Sequence, residues 1–267
     1  MPSAANDIEY TERGQGPTIL FVPGSFGTGA GWRPIIELLG GGFRTITTSL
    51  LGYGATGERR TAATTSIDLE ADVLETVVCR AAAPVHIVAH SFGGIVTLAL
   101  CLRGTCDIRS LTLIEANPLD VLRQAGDATH YRQFRSMSDA YLRDFEAGDR
   151  EAARRVIDFY GGPGTFDAFP HKVRDYVVAT TPVNILDWSS GYGFEAPLSA
   201  YAAIQAPALI VRGEAGHPAM LSMATILHGA VQNSTLVSIA DGSHFLPSTH
   251  APRLAELIRA HVTASAA

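Results

Sequence analysis

Ser91 stands at the most chemically suggestive point of this chain, in Val85-His86-Ile87-Val88-Ala89-His90-Ser91-Phe92-Gly93-Gly94. There a short apolar, β-branched run meets the helical run Ile95–Leu100 with only a sharp turn between them. Small residues must flank a serine in such a turn because the backbones come close, and Ala89 and Gly93 supply them. The turn holds the serine in a strained conformation and presents its hydroxyl at the positive end of the following helix. A serine hydroxyl is a weak nucleophile until a base takes its proton. His244 is the candidate base, in Asp241-Gly242-Ser243-His244-Phe245 between a last strand-like run and a final helical pattern, with Asp241 read as shaping the turn. His86 and His90 are four apart, a metal-pair spacing on a helix, but they fall on a strand and a turn with no Glu-containing metalloprotease pattern. His90 is read as a packing or hydrogen-bonding neighbour of the serine, and His217, His228 and His250 as surface or loop residues. No metal or organic cofactor is implied.

The elements that must position these side chains are legible as an alternation. Strand-like runs occur at Thr18–Val22, Thr45–Thr48, Val85–Ala89, Leu111–Ile114, Ala208–Val211 and Thr235–Ile239, each followed by Gly, Asn or Asp or by a loop containing them. Helical patterns lie between them. One follows the capping candidates Thr65 and Ser66 and carries Ile67, Ala71, Leu74, Val77 and Val78 on one face. Another begins at Pro252 and carries Leu254, Leu257, Ile258 and Val262. This is the pattern of an α/β fold, with a mainly parallel central sheet flanked by helices.

From about Asn117 to Ala200 the rhythm breaks. No strand is evident, and breakers separate helices carrying Met137, Tyr141 and Phe145, then Ala153, Val156, Ile157 and Tyr160 from near Asp149, then Val173 and Val177 from near Pro170. The expected organisation is a core of residues 1–116 and 201–267 with a helical cap, 117–200, inserted between core strands as a lid over the strand ends. The plain alternative is a helical extension that only adds stability.

The chain has 267 residues, 46% hydrophobic and 17% charged, which calls for a sizeable core and excludes wholesale disorder. A formal net charge of −6, with Lys172 the one lysine and the arginines scattered, argues against nucleic acid as a partner. No apolar run approaches the roughly 20 residues of a membrane-spanning helix. Met1-Pro2-Ser3-Ala4-Ala5-Asn6-Asp7 shows neither a basic leader nor an apolar stretch, so no export signal is expected. Cys79, Cys101 and Cys106 match no zinc or redox spacing and are read as reduced packing residues, which makes a cytoplasmic location the expectation. Oligomeric state is left open.

With the serine turn and the histidine loop in place, the chain resembles the α/β-hydrolase family over nearly its whole length. Phe21-Val22-Pro23-Gly24-Ser25-Phe26 looks like the family's oxyanion-loop segment, with Pro23 where His is common, and Leu51-Gly52-Tyr53-Gly54 like its glycine-punctuated turn. The resemblance implies an oxyanion hole made by the backbone N–H groups of Ser25 and Phe92, with Gly24 permitting close approach and the Ser25 hydroxyl as a conceivable third donor. It also implies an acid to orient His244. In the family's common pattern the acid follows the penultimate core strand, and that place is Gly216 in Val211-Arg212-Gly213-Glu214-Ala215-Gly216-His217. Glu214 lies two residues early, while Glu115 ends the preceding strand in Leu113-Ile114-Glu115-Ala116-Asn117-Pro118. Haloalkane dehalogenases, a branch of the family, take their acid from the strand end corresponding to Glu115, so Glu115 is favoured over Glu214. A plain reading of Glu115 is that it caps a buried loop or pairs with an arginine.

The function this implies is a serine hydrolase acting on a small apolar carboxylic ester or lactone through an acyl-enzyme. Resembling dehalogenases and epoxide hydrolases place Asp at the nucleophile, which Ser91 argues against. A carbon–carbon bond hydrolase, cofactor-free haloperoxidase or hydroxynitrile lyase would use the same three residue types, and a weakly catalytic ligand receptor would keep the scaffold. Phe159, Tyr160, Phe166, Phe169, Tyr176, Trp188, Tyr192 and Phe194 of the insertion offer apolar cover for a ligand or form the insertion's own core. Trp32 either borders that pocket or packs a helix.

Overall fold

The computed structural model describes residues 7–266; Met1–Asn6, read above for a leader, lie outside them. Its centre is a seven-stranded sheet in the order β1-β3-β2-β4-β5-β6-β7. The strands are β1 (Thr11–Gly14), β2 (Thr18–Val22), β3 (Arg44–Thr47), β4 (Val85–His90), β5 (Ile108–Ile114), β6 (Ala208–Gly213) and β7 (Ser234–Ile239). All neighbours pair in parallel except β1, which lies antiparallel on β3 at the edge. Sequence alone gives no sign of β1, because Thr11–Gly14 is polar and exposed throughout. β5 starts three residues before its apolar run and β3 one residue early, at positions whose backbone continues the ladder; of their side chains only Ile108 is apolar, and it packs half-buried against the core.

Alternate residues of the inner strands supply two cores, as a pleat requires. Leu20, Val22, Ile87, Ala89, Leu111, Leu113 and Ile210 pack with α2 (Ile67–Ala81) and α3 (Phe92–Arg103). Ile19, Phe21, Val88, Ile114, Leu209 and Val211 face the opposite way, toward α1 (Arg33–Leu39) and α11 (Ala251–Ser265). Ser66 caps α2, its hydroxyl accepting from Asp68 N at 3.1 Å.

Between β5 and β6 the described residues hold helices and no strand: α4 (Asp120–Gln124), α5 (Ala128–Glu146), α6 (Arg154–Gly161), α7 (Thr165–Ala168) and α8 (His171–Tyr192). The helix expected from Asp149 begins at Arg154, after a turn. α8 passes through Pro182 and continues to Tyr192, well beyond Val177. After β6 come α9 (Pro218–Ala230), β7 and the single turn α10 (Leu246–Thr249). No helix among the described residues is long and apolar enough to cross a membrane.

Strand order makes the site's position intelligible. The chain leaves β2 for β3 on one side and later returns as β4 on the other, so the loops at the carboxyl ends of β2 and β4 diverge and open a crevice. Ser25 and Ser91 stand at its two sides.

Candidate active site

Ser91 directly follows β4 with φ 52° and ψ −125°, a conformation that L-residues rarely adopt. The surroundings enforce it. Ser91 N–H donates to Ile114 O at 3.0 Å, and Ser91 O accepts from Gly94 N at 2.8 Å as α3 begins. A Cβ at Gly93 would collide with Pro23 O, and one at Gly24 would lie 2.7 Å from Ser91 Cβ. Two glycines therefore let the β2 loop press against the serine turn. Phe92 opens α3, so its N–H has no carbonyl of its own helix to bind. Ser25 and Phe92 line the cavity that contains Ser91.

His244 follows β7 and is 3% exposed. Ser91 Oγ lies 2.8 Å from its Nε2, and its Nδ1 lies 3.2 Å from Glu115 Oε2. Glu115 is buried at the end of β5 with φ 49°, and its other oxygen, Oε1, accepts from Gly213 N at 2.7 Å. Glu214 is exposed. The structure thus brings Ser91, His244 and Glu115 into one hydrogen-bonded chain and leaves Glu214 outside it. Asp241 is also outside: it is exposed and pairs with His250 at 3.1 Å.

Three neighbours fix the imidazole. Tyr160 of α6 stacks on it with centroids 4.0 Å apart, and Asn117 Nδ2 donates to the Tyr160 hydroxyl at 2.8 Å. His90 Nε2 lies 2.8 Å from His244 O, which as an acceptor requires the proton on that nitrogen. Burial, helped by the adjoining His244, pushes the pKa of His90 down to about 3, so His90 is a neutral donor across the physiological range. His86 bonds Ser110 instead, at 2.8 Å. His217 is half-buried rather than a surface residue: it caps α9 and stacks on Phe159 at 4.0 Å.

The Ser25 hydroxyl is not free to be a third oxyanion donor. It donates to Asp187 Oδ2 at 2.6 Å, and Tyr53 OH donates to the same oxygen at 2.7 Å. Arg60 Nη1 donates to Asp187 Oδ1 at 2.8 Å. Arg60 also lies 2.7 Å from Glu70 and 2.8 Å from Glu58, so one guanidinium serves three acidic side chains. Burial raises the pKa of Asp187 and lifts Glu70 to about 8, with Arg60 opposing the rise in each. Sequence reasoning missed this cluster. Its members come from the β2 and β3 loops, α2 and α8, and no local motif links them.

A cavity of about 660 Å³ opens above Ser91 and His244, between the strand ends and the inserted helices. Tyr160, Phe169, Tyr176 and Trp188 line it, whereas Phe159, Phe166, Tyr192 and Phe194 belong to the packed core. Trp32 does both, lining the cavity and packing on Phe21 at 5.3 Å.

A nucleophile turn at a parallel strand end, with a buried histidine from the last strand's loop, is the arrangement of an α/β-hydrolase. Residues 19–257 match the model of the alpha/beta hydrolase family, and the chain belongs to that family. It is 35% identical over 102 residues to a RutD protein of Agrobacterium fabrum, named for carbamate hydrolysis; the match spans 38% of this chain and only 39% of that protein. Among solved structures, MenH from S. aureus superposes with TM-score 0.76 at 17% identity, covering 97% of this chain and 99% of that one. An esterase from Exiguobacterium antarcticum gives TM-score 0.76 at 17% identity, covering 96% and 95%. At such identities the structural likeness speaks for the fold alone.

Proposed function

We propose that this hydrolase cleaves carboxylic esters or lactones through an acyl-enzyme on Ser91, with residues 117–200 serving as a lid. One observation carries the reading: Ser91 Oγ, in its strained turn, lies 2.8 Å from His244 Nε2. With Nδ1–H donated to Glu115, His244 Nε2 has its lone pair toward the serine hydroxyl. Ser91 Oγ attacks the carbonyl carbon as its proton passes to Nε2, and the carbonyl oxygen gains the negative charge. The N–H groups of Ser25 and Phe92 receive that charge, while ionised Glu115 stabilises the imidazolium. Collapse expels the alkoxide, which takes the proton from Nε2. Water then attacks the acyl-enzyme with His244 again as base, and the acid leaves.

The cavity supports an ester with a sizeable apolar portion. Its volume suits a medium organic molecule, and its walls are largely apolar. A carbamate ester would pass through the same acyl chemistry, but the cavity far exceeds what a minimal carbamate would fill.

The test is intact-mass analysis after treatment with a fluorophosphonate, followed by peptide mapping. One adduct per chain on Ser91, absent from Ser91→Ala, is expected. Folded protein that takes no adduct while small esters go unhydrolysed would overturn the reading.

A further inference from the structure

α8 presents Asn184, Asp187, Trp188 and Gly191 to the cavity, a spacing that puts all four on one helical face. Asp187 is fully engaged by Ser25, Tyr53 and Arg60. Asn184 is not. Its Oδ1 accepts from Tyr141 OH at 2.9 Å and from Trp188 Nε1 at 3.2 Å. An indole N–H can only donate, so this contact fixes the amide's orientation: oxygen toward Trp188, nitrogen away from it. Asn184 is 2% exposed as a residue, and among the described residues its Nδ2 has no hydrogen-bond partner; it is not one of the fully enclosed unpaired polar atoms, so it keeps contact with the open space of the cavity. A donor whose orientation is fixed from behind, in a cavity wall that is largely apolar, is available to an acceptor on a bound ligand.

We infer that Asn184 Nδ2 is a recognition donor for the substrate, and that the substrate carries a second acceptor oxygen, a ketone or ether, remote from the scissile carbonyl. Its position follows from the helix. Gly191 lies against Phe92 and Ile95 at the start of α3, and Asp187 holds Ser25 on the other side of the serine turn. Asn184 is three residues further back, about 4.5 Å along the axis at 1.5 Å per residue. An acceptor some four to six atoms from the scissile carbon would span that gap. The remainder of the cavity wall is mainly apolar, with the exposed Lys172 among its lining residues, so the part of the ligand that reaches Asn184 is an apolar chain bearing one extra oxygen rather than a polyhydroxylated group. The inference rests on the ester reading above for the identity of the reacting group, while the donor itself exists independently of it.

The experiment compares matched neutral esters. On the acyl side the pair is 4-nitrophenyl 5-oxohexanoate and 4-nitrophenyl hexanoate; on the alcohol side it is 4-oxopentyl butanoate and pentyl butanoate. Rates are divided by those of hydroxide-catalysed hydrolysis to remove intrinsic reactivity. Wild-type enzyme should favour the oxo ester about 10-fold in kcat/KM in one pair, the effect expected for one added hydrogen bond. Asn184→Asp keeps an oxygen for Tyr141 and Trp188 but replaces the donor, and it should bring that ratio to about 1 or below. Equal wild-type rates within both pairs would overturn the inference and leave the hydrolase reading standing. Binding to Ser91→Ala, followed by quenching of the intrinsic fluorescence of Trp32 and Trp188, which both line the cavity, separates the two claims further. Discrimination between oxo and methylene esters there, in a protein whose wild type neither turns over esters nor takes the fluorophosphonate, would sink the hydrolase and keep the recognition site. Equal binding would show that the donor serves only a water.

Discussion

Glu115→Gln tests the catalytic chain at the point where geometry predicts most. Both oxygens of Glu115 are committed, Oε1 to Gly213 N–H at 2.7 Å and Oε2 to His244 Nδ1 at 3.2 Å. A glutamine at this place has one oxygen and one NH₂ group. If the NH₂ faced Gly213 N–H, two donors would meet in a buried site, at a cost of about 1–3 kcal/mol. The amide therefore keeps its oxygen on Gly213 and turns its nitrogen to His244. Nδ1 must then accept, which moves the imidazole proton to Nε2, the atom that has to receive the proton of Ser91. The variant folds and binds ester but starts from the wrong tautomer and lacks the carboxylate that stabilises the imidazolium. Its kcat should fall by about 10³- to 10⁴-fold, or roughly 4–5.5 kcal/mol of transition-state stabilisation. The melting temperature should move little, because the Gly213 hydrogen bond survives. Glu214→Gln, on an exposed side chain, should stay within about twofold of wild type, as surface substitutions do. Steady-state hydrolysis of a 4-nitrophenyl ester from pH 6 to 9, with thermal melts alongside, reads both variants. A Glu115→Gln enzyme within tenfold of wild type, or a larger loss in Glu214→Gln, would refute the reasoning.

Two further predictions concern the buried cluster behind the oxyanion loop. Ser25→Ala leaves the backbone N–H in place but removes the hydroxyl that ties the loop to Asp187 at 2.6 Å. Its kcat should drop about tenfold, equivalent to one lost hydrogen bond to a charged group, with KM within twofold and activity restored in Ser25→Thr; a lower melting temperature with unchanged kcat would reduce the contact to a structural tie. The second concerns pH. Burial raises the pKa of Asp187 and carries that of Glu70 to about 8, above the ordinary carboxylate range. An acid that binds its proton more tightly when folded adds stability that is complete below its unfolded pKa and lost as pH rises through the folded one. Up to about pH 6.5 the buried imidazoles, His90 above all, add stability as pH rises and offset this decline. Denaturant unfolding should therefore show stability declining between about pH 7 and pH 9, and Glu70→Gln should flatten that decline; a wild-type stability that rises across this window would contradict the assignment.

How far the sequence reaches depends on whether a feature is local. The serine turn and the histidine loop each sit within about ten residues, because strand, tight turn and small flanking residues must be contiguous to make them. The parallel order of the inner strands follows from the same alternation. β1 leaves no trace, since an edge strand such as Thr11–Gly14 buries nothing and shows no apolar period. The proposed orienting acid is intermediate. A carboxylate needs only to reach His244 Nδ1, and both Glu115 and Glu214 follow strands; what separates them is that Glu115 is buried against residues 98 and 129 positions away. Arg60 and Asp187 are 127 residues apart, and their meeting depends on α8 running past Pro182 to lie across the β3 loop. Nothing in either neighbourhood announces it. For the same reason the sequence could not tell which aromatics of the insertion line the cavity and which fill its core.

If Glu115 orients His244 as proposed, its place and the glycines around it explain each other. Gly213 and Gly242 lie so close that a Cβ on Gly213 would collide with Gly242 O, and Ala215 N–H donates to that same oxygen at 2.9 Å. The loop after β6 and the loop carrying His244 are thus packed backbone on backbone. The place where the family's common pattern puts the acid is Gly216, which has no side chain to offer. What the β6 end supplies instead is an N–H, aimed at Glu115 Oε1. β5 lies between β4 and β6, so a carboxylate at its end is flanked by the Ser91 turn on one side and the Gly213 loop on the other. From there it can take a hydrogen bond from each of two groups, the Gly213 N–H and the imidazole. With the acid on β5, the two late loops can pack tightly and fix His244, at the cost of holding Glu115 at φ 49°. Strain at Glu115 and Ser91 falls at adjacent strand ends, and both residues reach the same imidazole.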